Sequence, residues 1–216
     1  MTGDRRHAAA EAFDAIGADY EQAFAGSSAH RASLDRLLAR LTPRSRVLDV
    51  GCGTGRPTAD VLASAGHEVL GVDVSPVMVG LASRRVPAAS FRCADIRAVP
   101  LEEEGFDAVC VYFSLLQMTR DEQRSLVRRL AGALRPGGHL VLATVPLDVE
   151  DVSAVFMGQA VRVTSFGPEA FRTLATGAGL SVVDEERTVF TPSHPGAVSE
   201  PHLFLHCRRE AAAPGA

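Results

Sequence analysis

The sequence predicts an α/β fold: a doubly wound, mostly parallel sheet of seven strands preceded by two N-terminal helices. Three observations predict it. Short apolar runs alternate with stretches of helical period between residues 46 and 145, the pattern of strand–helix–strand units joined by right-handed crossovers. The first of these runs opens into a loop of alternating glycines, Gly51, Gly53 and Gly55. The chain has 216 residues, 46% of them apolar, which suits one compact domain with a modest appendage.

The elements follow in order. Residues 11–24 carry Phe13, Ile16, Tyr20 and Phe24 at helical spacing and predict the first helix. After Gly26-Ser27-Ser28, Leu34, Leu37, Leu38 and Leu41 form a second apolar stripe, which Pro43 ends. Residues 47–50 read as a buried strand, 54–65 as a helix ended by Gly66, and 68–72 as a second strand closed by Asp73. A helix over 76–85 has Ser75 as its cap and Pro76 at its first position. Residues 89–93 and 106–112 are the third and fourth strands, and 121–134 a helix. Arg135-Pro136-Gly137-Gly138 is a stop and turn before a fifth strand over 139–145. Residues 149–165 are the least regular stretch. A helix over 168–178, ended by Gly179, precedes two last strands, 181–190 and 201–208, with a Pro- and Gly-rich loop between them. Residues 211–216 read as a frayed tail. No internal repeat or low-complexity linker divides the chain. One domain over 1–216 is expected, with N-terminal helices at 1–42, a core at 46–145, and a cap with the last strands at 146–210.

Composition narrows the function. The net charge is −4, with acids and bases interspersed, so the basic stripe that a phosphate backbone requires is missing and no nucleic-acid partner is expected. No apolar run reaches membrane-spanning length and no apolar leader is visible, so neither a membrane nor a secretory signal is expected. Cys52, Cys93, Cys110 and Cys207 show no CxxC spacing. They read as reduced, buried thiols of a cytoplasmic protein. Carboxylates and histidines are not clustered at metal-ligand spacing, so no metal is expected.

The glycine loop carries the most information. Glycines directly after a strand and before a helix let the backbone turn tightly and lie against a ligand, at the usual crevice of open α/β sheets. A dinucleotide fingerprint needs a glycine at position 56, where this chain has Arg56. The loop also lacks the Gly-Lys-Ser/Thr of a phosphate-binding loop, and there is no Tyr-x-x-x-Lys pair for nicotinamide chemistry. Asp73 ends the second strand about 20 residues on, where an acid meets ribose hydroxyls. Read without a ligand, the glycines serve a tight turn, Asp73 caps a helix, Asp95 is a solvated turn residue, and Cys52 and Met78 fill the core.

With these residues in view, the chain resembles the class I S-adenosylmethionine-dependent methyltransferases. The resemblance covers about residues 46–145. It rests on Val47-Leu48-Asp49-Val50-Gly51-Cys52-Gly53-Thr54-Gly55, Asp73, Cys93-Ala94-Asp95-Ile96, Phe106-Asp107-Ala108-Val109 through Leu116, and Leu134-Arg135-Pro136-Gly137-Gly138-His139-Leu140, in that order. It implies a Rossmann-like fold with S-adenosylmethionine as cofactor and S-adenosylhomocysteine as product. It also implies cofactor contacts from Tyr20, Asp49, Gly51, Cys52, Gly53, Gly55, Asp73, Val74, Met78, Asp95, Ile96 and Phe113. Among these, Asp73 would bind the ribose, Asp95 the adenine amine and Ile96 its edge. Asp49 would either meet the methionine amino group indirectly or brace the loop. The segment Phe13-Asp14-Ala15-Ile16-Gly17-Ala18-Asp19-Tyr20 resembles the family's cofactor lid, with Tyr20 near the methionine end.

The acceptor is expected to be a small molecule methylated on O or N, such as a specialised metabolite. Tyr112, Gln117, Phe156 and Met157 are the candidate acceptor contacts, and Gln117, Tyr112 and His194 the candidate catalytic groups. Related enzymes often carry a His where Gln117 stands, and an amide is no base at neutral pH. His67, His194 and His202 read as surface histidines, His139 as a half-exposed strand residue, His206 as packed, and His30 as a base near the lid. Two alternatives stay open: a cofactor-bound cyclase or pericyclase on the same fold, and a non-catalytic S-adenosylmethionine-binding protein. The second helix stripe serves either an internal seam or a dimer, so a monomer and a homodimer are both open.

Overall fold

The computed structural model describes residues 2–210. Its helices are α1 (Thr2–Ile16), α2 (Asp19–Phe24), α3 (Ser28–Leu38), α4 (Thr58–Ser64), α5 (Pro76–Arg85), α6 (Arg120–Ala133) and α7 (Pro168–Thr176). Its strands are β1 (Arg46–Val50), β2 (Glu68–Asp73), β3 (Ser90–Cys93), β4 (Phe106–Tyr112), β5 (Leu134–Thr144), β6 (Val152–Phe156), β7 (Gln159–Val163), β8 (Leu180–Phe190) and β9 (Glu200–Arg209). Seven of them form one sheet in the order β3-β2-β1-β4-β5-β9-β8. The pairings among β1 to β5 are parallel; β9 pairs antiparallel to both β5 and β8. The expected Rossmann-like, mostly parallel sheet of seven strands is therefore present.

Both faces of the sheet are covered, as a parallel sheet requires. Alternation within each strand decides the faces. Leu48, Val50, Val109, Val111, Leu140 and Leu142 meet Leu126, Leu130 and Phe171 of α6 and α7. Val47, Cys110, Tyr112, Val141 and Phe204 meet Leu34, Leu37, Ala59 and Leu62 of α3 and α4. α6 is held at its start by a capping box, in which Thr119 and Glu122 satisfy each other's backbone N–H groups.

The structure departs from the expectations in five places. The single first helix is two, α1 and α2, because Gly17 turns left-handed at φ 51° and its N–H closes onto the Phe13 carbonyl. α3 stops at Leu38, so Leu41 packs from the loop beyond it. α4 starts at Thr58 rather than 54, since Gly55 at φ 80° cannot belong to a right-handed helix. Arg135-Pro136-Gly137-Gly138 does not break the chain before the fifth strand. It forms an irregularity inside β5, whose pairing slips from Phe106–Leu134 to Ala108–His139. The irregular stretch is a hairpin, β6–β7, turned by Met157 (φ 48°) and Gly158 (φ 80°). Two central residues at positive φ make this a type I′ turn, hidden from sequence because Met stands where Asn or Asp usually signals it. The frayed tail at 211–216 lies outside the described residues. No helix among the described residues is long and apolar enough to cross a membrane.

Candidate functional site

The glycine loop is built from its backbone outward. β1 delivers the chain beside β2, and the N–H groups of Gly51 and Cys52 both donate to the Val72 carbonyl, at 2.7 and 3.2 Å. Gly51 turns at φ 69° with its α-carbon against Ser114, whose hydroxyl donates to the Val50 carbonyl at 2.7 Å. Beyond the loop, at the C-terminal ends of β1, β2 and β4, lies a cavity of about 420 Å³. Gly53 faces it with open space where a side chain would be.

One group of lining residues is acidic. Asp73 accepts from the Gly53 N–H through Oδ2 and from the Ser75 N–H through Oδ1, each at 2.9 Å. Burial raises its pKa while these backbone donors oppose the rise. The two bonds leave part of the carboxylate's acceptor capacity for a ligand. Asp95 is clasped by the Arg97 guanidinium at 2.8 Å, and Arg97 reaches on to Glu122 at 2.5 Å. Ile96, Val74 and Met78 supply apolar walls beside it.

Asp49 is the sharpest feature. It is 2% exposed, and its Oδ2 has no hydrogen-bond partner. Burial, reinforced by the nearby Asp73 carboxylate, lifts its pKa from 3.8 to about 8. The sign follows directly. A carboxyl whose pKa rises on folding contributes stability that is complete below pH 3.8 and lost as the pH climbs through about 8. Asp49→Asn, which stays neutral, should therefore gain on the wild type in the ligand-free protein as the pH rises from 5 to 9. Thermal unfolding of both across that range checks it; parallel curves would show that burial leaves the Asp49 pKa where it is in the unfolded chain.

The other group is aromatic and carries histidines. His30 stacks on Tyr112 at 4.0 Å between ring centroids and shares a hydrogen bond with Thr58 at 3.1 Å. Burial, with His202 close by, pushes its pKa down to about 3, so it stays neutral. His202 packs against Phe113 at 4.5 Å, and its Nε2 lies 2.8 Å from Glu200. Phe113 sits at φ 58°, a left-handed conformation uncommon for so large a residue, which turns the chain from β4 into Ser114. The Tyr112 hydroxyl is engaged by Ser33, which also holds His206 at 2.8 Å. Tyr20 lines the same cavity, and burial, with the Glu200 and Asp73 charges, raises its pKa.

α1 and α2 close over this cavity and are pinned in place. Asp14 accepts from the Ser75 hydroxyl at 2.5 Å and from the Val77 N–H at 3.2 Å, at the start of α5 where a negative charge is favourable. Glu21 accepts from Thr54 at 2.9 Å and from Arg85 at 2.6 Å. Phe13, Tyr20 and Phe24 cluster with Phe156 of the hairpin, and Phe24 also meets Phe190 of β8.

Of the residues singled out by sequence, Tyr20, Asp49, Gly51, Cys52, Gly53, Asp73, Val74, Met78, Asp95, Ile96, Tyr112, Phe113 and Gln117 line one cavity. Gly55, Phe156, Met157 and His194 are not among its lining residues. Gly55 packs against Ala82, Val86 and Phe91, and Phe156 packs against Phe13, Tyr20 and Phe24. Three surface or thiol expectations are corrected. His67 is buried and accepts the Ser45 N–H, because it folds back under the turn into β2. His202 is 2% exposed, since β9 presents it to the interior. Cys93 is exposed, at the end of an edge strand. The position of His202 was legible in principle: Glu200, His202, Phe204 and His206 alternate with Leu203, Leu205 and Cys207, the signature of a strand covered on both faces.

Comparison with known proteins agrees with this architecture. Residues 47–138 match the family model of a methyltransferase domain. The malonyl-[acyl-carrier protein] O-methyltransferase of Enterobacter lignolyticus is 35% identical over 175 residues, 80% of this chain and 66% of that protein. Methyltransferase GfsG of Streptomyces halstedii is 32% identical over 145 residues, 64% of this chain and 48% of that protein. The chain thus spans between about half and two thirds of the length of these relatives. Among solved structures, the Burkholderia thailandensis 1,6-didemethyltoxoflavin-N1-methyltransferase, with its namesake ligand and S-adenosylhomocysteine bound, superimposes with a TM-score of 0.72 at 24% identity, covering 94% of this chain and 88% of that one. With its glycine loop, its acid at the end of β2 and its sheet order, the chain belongs to the class I S-adenosylmethionine-dependent methyltransferases.

Proposed function

We propose that this protein transfers the methyl group of S-adenosylmethionine to an oxygen or nitrogen atom of a small molecule. One observation carries the reading: a single cavity joins an acidic, glycine-lined group to an aromatic, histidine-bearing one, with Tyr20 also in its lining. The acidic group suits a ligand bearing an ammonium, ribose hydroxyls and an adenine ring. The partnerless Oδ2 of Asp49 offers a buried acceptor toward the ammonium, Asp73 has capacity left for the hydroxyls, and Asp95 with Ile96 and Met78 would border the base. Gly51, Gly53 and Cys52 would let the backbone lie close to it.

When bound, the sulfonium supplies an already activated methyl group. The protein's own part is then alignment. Phe113 and Tyr112 present aromatic faces to an acceptor, Gln117 offers an amide to orient its polar atoms, and α1 and α2 supply a further wall of the cavity. Holding two reactants in line contributes about 7–11 kcal/mol to the barrier reduction. The names of the relatives, an O-methyltransferase and, among the structures, an N1-methyltransferase, support O or N as the target. The free cysteines are in keeping with a cytoplasmic setting.

The test is thermal unfolding with S-adenosylhomocysteine, with NAD as control, followed by detection of S-adenosylhomocysteine released from S-adenosylmethionine in the presence of a small-molecule extract. The expected result is a rise of several degrees with S-adenosylhomocysteine alone, and acceptor-dependent release. Binding without release across extracts would make the protein a cyclase or a binding protein instead. No rise would overturn the reading.

A further inference from the structure

We propose that His202, oriented by Glu200, takes the proton from the acceptor's nucleophilic hydroxyl or N–H. The inference rests on the methyltransferase reading and narrows it, because it commits the acceptor to a nucleophile that still carries a proton.

β9 runs antiparallel to β5, so its first residues lie at the cavity end of the sheet. Period-two alternation puts Glu200, His202 and Phe204 on the face toward α3. The His202 side chain is 1% exposed and lines the cavity. Its Nε2 lies 2.8 Å from Glu200 Oε1. An ionised carboxylate only accepts, so Nε2 carries the proton and donates. In a neutral ring the other nitrogen, Nδ1, then holds a bare lone pair, and Nδ1 has no hydrogen-bond partner. A buried, partnerless base nitrogen with its ring fixed by a carboxylate is the arrangement that general-base catalysis uses.

The neighbouring groups favour His202 over the other candidates. From α3, His30 faces it but has no carboxylate partner, and its pKa is pushed down to about 3. From α2, Tyr20 senses Glu200, and burial keeps its phenol protonated. From β4, the Tyr112 hydroxyl is taken by Ser33. From β8, the facing residue is the uncharged Thr188. Along β9, His206 is held by Ser33. His202 alone in this group combines a carboxylate with a free nitrogen.

The balance is simple. The acceptor's lone pair forms the new bond to carbon, and the carbon–sulfur pair leaves with a neutral thioether. The acceptor's proton passes to Nδ1, and the resulting imidazolium is neutralised by Glu200 until solvent removes the proton.

The test uses the full chain saturated with S-adenosylhomocysteine, labelled with ¹⁵N-histidine, and with 4-nitrophenol as an ionisable acceptor probe. The expected nitrogen spectrum places the His202 proton on Nε2, with Nδ1 bare. The proton should become distributed over both nitrogens in Glu200→Gln. The bound phenol should ionise about one pH unit lower than in water, and this shift should vanish in His202→Gln. A proton resident on Nδ1, an equal ionisation of the phenol in wild type and His202→Gln, or a phenol that does not bind would each overturn the proposal. Glu200→Gln, at a half-buried position, keeps the test open if His202→Gln fails to fold. Calorimetry of S-adenosylhomocysteine binding separates the two levels: binding with no proton shift sinks this inference alone, whereas no binding sinks the function on which it rests.

Discussion

Asp73→Ala should lose S-adenosylhomocysteine binding by about 100-fold or more while the protein still folds. The reason lies in what the carboxylate holds. Its two oxygens fix the N–H groups of Gly53 and Ser75, one in the glycine loop and one capping α5, and the same carboxylate faces the cavity. Alanine removes the ligand's acceptor and frees the loop that should lie against the ligand. A ligand present at about 100 times its dissociation constant adds about 2.7 kcal/mol to stability, so a 100-fold weakening cancels most of that gain. Melting curves at one fixed ligand concentration should show the wild type rising by several degrees and the variant hardly at all. Asp73→Asn should fall close to alanine, because an amide turns one donor toward a backbone N–H that needs an acceptor. Binding within threefold of wild type in Asp73→Ala would remove Asp73 from the site.

Gly51→Ala should be the most damaging small substitution in the chain. A β-carbon there would sit 2.2 Å from the Ser114 β-carbon, and the backbone is at φ 69°. The left-handed conformation costs an L-residue about 1–2 kcal/mol and overpacking about 1–3 kcal/mol, so a loss of roughly 2–5 kcal/mol is expected. In a chain of this length each kcal/mol moves the melting point by about 2–4 °C. The clash has one partner, which makes the claim separable. Ser114→Gly removes the opposing carbon, at the cost of the hydroxyl bond to the Val50 carbonyl. Gly51→Ala/Ser114→Gly should therefore be more stable than the sum of its parts by about 1–3 kcal/mol. Strict additivity in denaturant unfolding would mean that the loop relaxes away from Ser114.

How far the sequence revealed this arrangement depends on whether the signal was local. Strands β1, β2, β4 and the second half of β5 were legible because each is a short, largely apolar run bounded by Gly, Pro or Asp. The glycine loop and Asp73 were legible because they close two successive strands of a strand–loop–helix unit, whereas Asp95 was singled out through the family resemblance. The hairpin β6–β7 was not legible, since Met157-Gly158 gives no Asn-Gly signal for the turn that pairs its two adjacent strands. Nor was the late start of α4, where the left-handed Gly55 outweighs a helical apolar pattern. His202 escaped for a different reason. A histidine in a loop-flanking position is usually solvated, and the alternation along β9, which turns it inward, begins only two residues before it. The ties of Asp14 to α5 and of Glu21 to Arg85 span more than 60 positions, and no spacing rule connects them.

The antiparallel last strand divides the labour along the chain. The glycine loop, Asp73, Asp95 and Ile96 all fall within the stretch that matches the methyltransferase domain, residues 47–138. Phe24, His30 and His202 fall outside it, in the opening helices and in a strand that returns from the opposite direction. Under the proposed function the wall toward the acceptor is thus shared: Tyr112, Phe113 and Gln117 come from the matched stretch, and His30 and His202 from its flanks. Exchanging the two flanks between homologues would then alter one part of that wall and leave the other in place, which makes the fold a chassis with interchangeable ends.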